Sequence, residues 1–386
     1  MKIEIPDNND PNLIKVVQRL LKIPSHHTIT EIYGKPTKSV HMGSGRTNVF
    51  YENMTRTDMI RRVNSFKRLH IDYNYTLNGV VPRGRIPENR EQIIEELQWL
   101  EKSPIKKITI ANYELAKLAE KYCPSIEVVI SFFAEVDSQE KVRQWAKLSN
   151  VKTIIAAAST FRNISLLKEL VTTGKECGVG IGVIANLGCM ADCARKEEHA
   201  IVKDMSSINS SSLRYGACTF YCMRYLLESP EKFLQLPLIR PEDLNVYDNI
   251  GIAIVKLVDR SQTAKWIEKV VGYYLKGSFK GNILDLTCNY TRFNLEKHSN
   301  AQVAKINIDQ KIQEKSTKTT GVLSYREILP ELLDISIDHD YNLLGCSNKC
   351  ASCSGCKKTS AVKYDPERRK IVLKQLNKLE KNYLFA

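Results

Sequence analysis

Short apolar runs alternate with amphipathic stretches along most of this chain. Seven of the runs have the alternating or β-branched composition that favours strands. These strands are predicted at Thr28–Tyr33, Ile71–Leu77, Lys107–Ala111, Glu127–Phe132, Val151–Ala156, Gly178–Ala185 and Gly251–Leu257. Between them, apolar residues recur at steps of three and four, which predicts helices. The predicted helices are Asn89–Lys102, Tyr113–Lys121, Ser138–Leu148, Asn163–Thr173 and Ala264–Leu275.

Repeated alternation of strands and helices predicts an α/β fold with a parallel sheet. The length of the alternating region favours a TIM-like (β/α)8 barrel, and a doubly wound sheet is the alternative. Beyond it, residues 336–386 contain a small Cys-rich segment and a last predicted helix, Pro366–Asn382. A segment this small cannot bury a core of its own, so a bound metal would have to organise it. We therefore divide the chain into a barrel, residues 1–335, and a metal-binding tail, residues 336–386.

The composition is typical of a soluble globular protein. Of the 386 residues, 43% are hydrophobic and 26% are charged, and no run of 18 apolar residues predicts a membrane span. The first residues lack the basic and apolar regions of a signal peptide, so we expect a cytoplasmic protein. In a reducing cytoplasm, clustered cysteines are expected to be metal ligands rather than disulfides.

The net charge of +14 is compatible with an anionic partner, such as RNA, a phosphorylated metabolite or an acidic carrier protein. Part of this charge lies at the end of the chain, where residues 357–386 carry nine Lys or Arg and three Asp or Glu. A helix face exposed to solvent, or a sequence with biased codon usage, would be equally rich in lysine and arginine. The charge therefore permits nucleic-acid binding without specifying it.

Eight of the eleven cysteines fall into two sets with metal-ligand spacing. The first set is Cys189, Cys193, Cys218 and Cys222, which form two C-x3-C pairs. Four thiolates suit a tetrahedral metal or an iron–sulfur cluster, and structural zinc prefers C-x2-C, so this spacing favours iron–sulfur. Cys189 follows a predicted strand, and the carboxyl ends of barrel strands form the reactive face.

The second set is Cys346, Cys350, Cys353 and Cys356. Its first three cysteines have the C-x3-C-x2-C spacing of radical S-adenosylmethionine enzymes, but they follow the barrel, and a fourth cysteine stands close enough to close the site. We interpret the set as a ferredoxin-like [4Fe–4S] cluster, with structural zinc as the alternative. The three remaining cysteines are expected to be spectator thiols: Cys123, Cys177 and Cys288.

Several stretches of the chain resemble the U32 peptidase family, over about residues 25 to 290. One is Asn-Leu-Gly-Cys189-Met-Ala-Asp-Cys193, and another is the Val255–Arg260 stretch, which is similar to the family's Lys-x-x-Gly-Arg strand. Here Asp259 stands where the family has glycine. The other stretches that carry the resemblance are Leu238–Leu244, Ile71–Asn78 and Ala134–Asp137.

The resemblance implies a TIM-like barrel with one [4Fe–4S] cluster held by the first cysteine set. It also implies oxygen-independent hydroxylation, because relatives modify quinone precursors or bases of transfer and ribosomal RNA, some with prephenate as oxygen donor. It implies peptidase activity with less force, since much of the family lacks convincing proteolysis. The substrate varies among relatives, so the resemblance does not specify a single reaction.

Polar residues at the predicted strand ends are the candidates for chemistry. They provide carboxylates for proton transfer, amides for orientation and two cations for an anionic substrate. The candidate catalytic residues are Glu31, Asn74, Glu135, Lys256 and Arg260. The candidate cofactor-binding residues are Arg240 and Asn186. Each of them can instead be a simple loop cap, and Arg240 can pair with Glu242.

These features favour an iron–sulfur enzyme that hydroxylates an RNA base or an aromatic or carrier-bound metabolite, with an electron donor such as ferredoxin. The sequence contains no Gly-x-Ser-x-Gly, no His-Glu-x-x-His and no nucleophilic Cys–His signature, which argues against familiar routes of hydrolysis. Two alternatives stay open. One is a U32-type peptidase, and the other is a non-enzymatic RNA- or protein-binding protein with structural metal sites.

Overall fold

A closed barrel of eight parallel strands forms the centre of the molecule. The computed structural model describes residues 1–35, 43–44, 54–80, 86–208, 222, 224–260, 262–287, 335–337, 344, 346, 353, 356 and 361–384. The strands are β1 (Lys2–Pro6), β2 (Thr28–Gly34), β3 (Asp72–Leu77), β4 (Lys107–Ile110), β5 (Glu127–Ile130), β6 (Val151–Ile155), β7 (Gly180–Ile184) and β8 (Ile254–Lys256). Each strand pairs with the next in the chain, and β8 closes on β1. The predicted TIM-like barrel is confirmed, and the doubly wound alternative is excluded.

Helices surround the barrel on the connections between strands. They are α1 (Leu13–Leu20), α2 (Arg56–Lys67), α3 (Arg90–Glu101), α4 (Tyr113–Tyr122), α5 (Gln139–Trp145), α6 (Ile164–Glu176), α7 (Lys196–Ile208), α8 (Leu244–Asn249) and α9 (Ala264–Lys276). The five helices predicted between strands correspond to α3, α4, α5, α6 and α9. None of the helices in the described part of the chain is long and apolar enough to cross a membrane.

Helix α9 illustrates how local sequence defines these elements. The Thr263 side chain accepts a hydrogen bond from the backbone N–H of Trp266 at 3.2 Å, which satisfies one of the free donors of the first turn. The helix ends at Gly277, whose φ of 61° lies in the left-handed region that glycine adopts without strain. Between these ends, an apolar face is buried against the barrel: Trp266, Ile267, Val270, Val271 and Tyr274.

A second, smaller apolar cluster joins the end of the chain to the barrel. Strands β9 (Ser336–Ile337) and β10 (Val362–Lys363) form an antiparallel pair, and helix α10 (Pro366–Leu384) follows. The cluster consists of Leu226, Leu227, Phe233, Leu234, Leu236, Leu238, Ile283, Leu284, Ile335, Ile337, Ala361, Val372 and Leu376. Arg369 of α10 also donates to the carbonyl oxygens of Leu227 and Glu228, at 2.6 and 3.0 Å. The last helix is therefore anchored on the segment that follows Cys222.

A buried ion pair fixes the loop after β1 to helix α2. The Arg62 guanidinium donates twice to the Asp7 carboxylate, at 2.7 and 2.5 Å, and the Tyr73 hydroxyl donates to it at 2.8 Å. Burial alone would raise the pKa of Asp7, but the charge and hydrogen bonds of Arg62 outweigh it and hold that pKa below its ordinary value. Asp7 therefore stays ionised to lower pH in the folded protein than an ordinary aspartate does.

Replacing Asp7 by asparagine is expected to lower the free energy of unfolding at neutral pH by about 3 kcal/mol, because Arg62 stays buried without its countercharge. The folded-state pKa of Asp7 is depressed, so its contribution is present above the unfolded value of about 4 and is lost as pH falls through the folded value. Urea unfolding at neutral and acidic pH tests this. The gap between Asp7→Asn and wild type should shrink in acid, and a constant gap would contradict the assignment.

Candidate active site at the barrel mouth

Charged and polar side chains fill the barrel interior, where many barrels have only apolar layers. The Lys256 ammonium on β8 donates to Glu4 on β1 at 2.7 Å, because closure of the barrel places these two strands side by side. The amide of Asn74 donates to the other Glu4 oxygen at 2.8 Å, and Thr109 donates to the Asn74 oxygen at 2.8 Å. All four residues are buried, so their charges and hydrogen bonds are satisfied within the barrel.

A second ion pair, between Lys107 and Glu31, lies in the same interior. Glu31 and Glu4 are partners in the register of β1 and β2, which brings two carboxylates into neighbouring positions. Burial raises the pKa of Glu31, and the charge of Glu4 raises it further, against the opposing effect of Lys107. Glu31 is thus the interior carboxylate that takes up a proton more readily than an ordinary glutamate.

The carboxyl-terminal end of the strands, here called the barrel mouth, carries Arg260. Its guanidinium donates to the hydroxyl of Thr76 at 2.9 Å and to the carbonyl oxygen of Ser44 at 2.5 Å. The Lys256 ammonium lies 3.4 Å from the centroid of the Tyr33 ring, and the Arg260 guanidinium lies 5.8 Å from it. Two cations therefore face one aromatic ring at the mouth.

Burial lowers the pKa of Lys256, although Glu4 opposes this effect. A buried lysine with a lowered pKa and a carboxylate on its Nζ atom can give up or accept a proton at a pH nearer neutrality. The guanidinium of Arg260 is a planar fork suited to an oxyanion. The mouth therefore combines a group for proton transfer with a group for orientation.

Asn186 and Arg240 lie beside the mouth, and their side chains form hydrogen bonds with other residues of the protein. The Asn186 side chain accepts from the Val258 N–H at 2.8 Å and donates to the carbonyl oxygens of Val258 and Leu286, so it fixes the chain just before Arg260. Arg240 makes a bidentate ion pair with Asp243, at 2.8 and 2.9 Å. Asn186 is thus a positioning residue for the mouth.

Two cysteines of the first set, Cys189 and Cys193, follow β7 at the same end of the barrel. The Cys193 and Cys222 thiols come within hydrogen-bonding reach, although they are 29 positions apart in the chain. The hydrogen bond to Cys222 lowers the pKa of Cys193 to about 6, aided by the Arg195 N–H and the charge of Lys196. Thiolate is the form that binds metal, so this environment suits a ligand. Cys189 is partly buried against the barrel core, and Cys218 lies outside the described residues.

Glu135 belongs to the surroundings of the cysteines rather than to the mouth interior. Its carboxylate pairs with Lys196 at 2.6 Å, and the Lys196 N–H donates to the carbonyl oxygen of Cys193 at 3.1 Å. Glu135 and Cys193 are therefore neighbours at the start of α7.

One cysteine of the second set lies against the small apolar cluster. Cys356 is partly buried against that cluster, Cys346 is partly buried, Cys353 is exposed, and Cys350 lies outside the described residues. Met190, which stands between Cys189 and Cys193, packs against the same cluster. Across the described residues, no three His, Cys, Asp or Glu side chains are grouped as a metal site.

The structure adds residues that the sequence patterns did not single out. Glu4, Tyr33 and Thr76 all face the candidate lysine or arginine, and Lys107 pairs with Glu31. The signal for Glu4 is the alternation Lys2-Ile3-Glu4-Ile5, which is a strand pattern with a charge on its inner face.

The chain is similar to several known proteins. The curated Uncharacterized protease MJ1657 of Methanocaldococcus jannaschii is 24% identical over 283 residues, which cover 72% of this chain and 80% of that protein. The solved structure of the U32 peptidase Mk0906 is 13% identical, with a TM-score of 0.46, covering 67% of this chain and 92% of that one. A putative dehydratase from Mesorhizobium loti is 11% identical, with a TM-score of 0.33, covering 47% of each chain.

A match to a sequence profile identifies the family of this chain. The profile of Peptidase family U32 matches residues 38–334, a range that begins after β2, includes the first cysteine set and contains Lys256 and Arg260. This match covers well over half of the 386 residues. The chain belongs to Peptidase family U32.

Proposed function

We propose that this protein is an iron–sulfur enzyme that performs an oxygen-independent redox modification, namely hydroxylation, at the barrel mouth. The substrate would be an RNA base or an aromatic or carrier-bound metabolite. The observation that carries the proposal is the contact between Cys193 and Cys222, because two thiols from distant positions meet beside the mouth and one of them has a pKa of about 6. Paired, readily ionised thiols are the donors that iron–sulfur clusters use.

The cysteine thiolates of this region are donors of the kind that such a cluster requires. Cys189, Cys193, Cys218 and Cys222 would hold it, and Met190 and the apolar cluster nearby would limit the access of water. A bound cluster would supply an iron atom able to polarise an oxygen of an organic oxygen donor, which would be reduced by two electrons as the substrate is oxidised to its hydroxylated form. The second set of cysteines would hold another cluster or a zinc ion, which would pass electrons from a donor such as ferredoxin or brace the tail.

The chain's own residues would bind and orient the substrate. Arg260 would hold an anionic group, because Thr76 and Ser44 fix the direction of its guanidinium. The Lys256 Nζ atom would give or take a proton, with Glu4 as the group that shares it inside the barrel. The ring of Tyr33 would stack against an aromatic substrate while it faces both cations.

The charge of the protein supports an anionic partner. The net charge is +14, and α10 exposes Arg368, Lys370 and Lys374. Arg369 of the same helix is anchored to the segment after Cys222, so this basic surface is attached to the cysteine region. An RNA strand or an acidic carrier would meet the protein on this surface.

The analysis of iron, sulfide and zinc in protein purified without air, together with its electron paramagnetic resonance spectrum, tests the proposal. We expect about four irons and four sulfides per chain for one cluster, or about eight of each for two. About four irons with one zinc would assign zinc to the tail. Zinc alone would contradict redox chemistry and favour a structural metal. Peptide cleavage that survives iron removal would favour the peptidase function that the names of the family and of its relative suggest.

A further inference from the structure

Helix α10 has a buried side and an exposed side of different chemistry. Val372 and Leu376 are each 1% exposed and belong to the small apolar cluster. Each residue of an α-helix is rotated by about 100° from the one before it, so the side opposite these two residues is defined by the sequence. That side is here called the outer face of α10, and it consists of the exposed residues Glu367, Lys370, Ile371 and Lys374.

The outer face of α10 combines an apolar residue with basic ones. Ile371 is 50% exposed and lies between Lys370 and Lys374 along the helix. Lys370 pairs with Glu367 at 2.7 Å, but these side chains are 69% and 77% exposed, so water screens the pair and the carboxylate of a partner can replace Glu367. An apolar centre with a polar rim is the arrangement found at interfaces between proteins.

The helix that carries this face is held firmly in place. Arg369 donates to the carbonyl oxygens of Leu227 and Glu228, and its guanidinium lies 5.6 Å from the centroid of the Tyr364 ring. These contacts add to the burial of the apolar side of the helix in the small apolar cluster. A surface that is already ordered loses less conformational entropy when a partner binds to it.

The second cysteine set lies close to the other side of α10. Cys356 packs against the small apolar cluster, to which Val372 and Leu376 of α10 belong, and Cys353 is exposed. An α-helix with its side chains is about 10 Å across. A partner bound to the outer face of α10 would therefore be separated by the thickness of one helix from the apolar cluster that Cys356 contacts.

We propose that the outer face of α10 is the docking surface for a small acidic electron-carrier protein of the ferredoxin class. Carboxylates of the carrier would contact Lys370 and Lys374, and an apolar side chain of the carrier would cover Ile371. A protein is favoured over a nucleic acid because phosphates are contacted by charged and polar groups, which leaves the aliphatic Ile371 without a role. Interfaces of redox carriers are small, which suits the face of a single helix.

Docking would serve the transfer of one electron at a time. The electron would leave the reduced carrier and enter the iron–sulfur cluster that the second cysteine set would hold, so the carrier is oxidised as that cluster is reduced. This transfer is separate from the two electrons exchanged between the oxygen donor and the substrate. The inference rests on the proposed function in one respect, the presence of an iron–sulfur cluster in the tail.

Isothermal titration of the anaerobically purified protein with a small acidic bacterial ferredoxin, at low ionic strength, tests the docking surface. Lys370→Glu with Lys374→Glu is expected to weaken binding at least about tenfold, because it places negative charge against the carboxylates of the ferredoxin. The matched control is Lys117→Glu with Lys121→Glu, an exposed pair with the same spacing on α4, which should bind as wild type does. Ile371→Ser should weaken binding at least about threefold and leave its salt dependence unchanged.

A wild-type protein that does not bind the ferredoxin, or equal weakening in the two charge-reversed variants, would overturn the proposal. Binding of an RNA oligonucleotide through Lys370 and Lys374 in place of the ferredoxin would overturn it as well. The electron transfer is followed by mixing with ferredoxin reduced by dithionite, which should be oxidised more slowly by Lys370→Glu with Lys374→Glu than by wild type.

Iron and zinc are measured on the same samples, so that the docking surface and the proposed function are tested separately. Zinc in the tail, together with ferredoxin binding that depends on Lys370 and Lys374, would support the docking surface and contradict the tail cluster. Full iron content without ferredoxin binding would support the clusters and overturn the docking surface.

Discussion

Replacing Glu4 by alanine is expected to lower the free energy of unfolding by about 3–5 kcal/mol, because it leaves the buried Lys256 ammonium without its countercharge. The Asn74 amide loses its acceptor at the same time. Both groups lie inside the closed barrel, where water cannot replace the lost partner without opening the strands. Urea unfolding followed by circular dichroism measures the change as a lower midpoint at unchanged slope.

Two controls separate the buried pair from a general loss of charge. Glu268→Ala removes the partner of Arg19 in an exposed ion pair and should change stability little, because water screens that pair. Glu4→Gln combined with Lys256→Met removes both buried charges and should recover much of the loss, since no uncompensated charge remains. If Glu4→Ala cost no more than Glu268→Ala, the interior ion pair would not be a major contributor to stability.

Most of the barrel could be predicted from the sequence because seven strands have apolar or alternating patterns of sufficient length. β1 was missed, since it has only five residues and its alternation of charged and apolar positions is short. The inward-facing carboxylate of Glu4 is tolerated because Lys256 neutralises it. Lys256 lies on β8, which is next to β1 in the barrel, although the two residues are 252 positions apart in the chain. The pairing of Lys256 with Glu4 forms only when the barrel closes, so the sequence around either residue does not indicate it.

Helices with polar buried faces were also missed. Helix α2 buries Arg62, whose charge obscures the apolar period although Asp7 neutralises it in the fold. Helix α7 follows directly on the cysteines, and it buries Asp204 and Ser207 against the mouth. Hydrophobic periodicity detects a helix less readily when polar side chains make part of its buried contacts.

The candidate site was predictable where chain position alone defines it. Lys256 and Arg260 lie at the end of a strand, and the ends of parallel strands meet at one face of a barrel. The pairing of Lys256 with Glu4 depends on two distant segments, so the sequence could not indicate it. Asn74 and Glu31 lie within the interior rather than at the rim, because their positions are in mid-strand.

Cys193→Ser is expected to reduce the iron of anaerobically purified protein by about four atoms per chain, because a cluster held by four thiolates needs all four of them. Serine keeps the size of the side chain but removes the thiolate that the Cys222 contact stabilises. Cys177→Ser is the matched control, since Cys177 is a partly buried thiol at the end of α6 that belongs to neither set.

Cys356→Ser separates the two proposed centres, because it alters only the set at the small apolar cluster. If both sets bind clusters, each variant should lose about half of the iron, and the electron paramagnetic resonance signal that remains should differ between them. If the tail holds zinc, Cys356→Ser should lose zinc and keep its iron. Iron that stays unchanged in Cys193→Ser would remove the metal role of this cysteine, and the redox chemistry at the barrel mouth would lose its support.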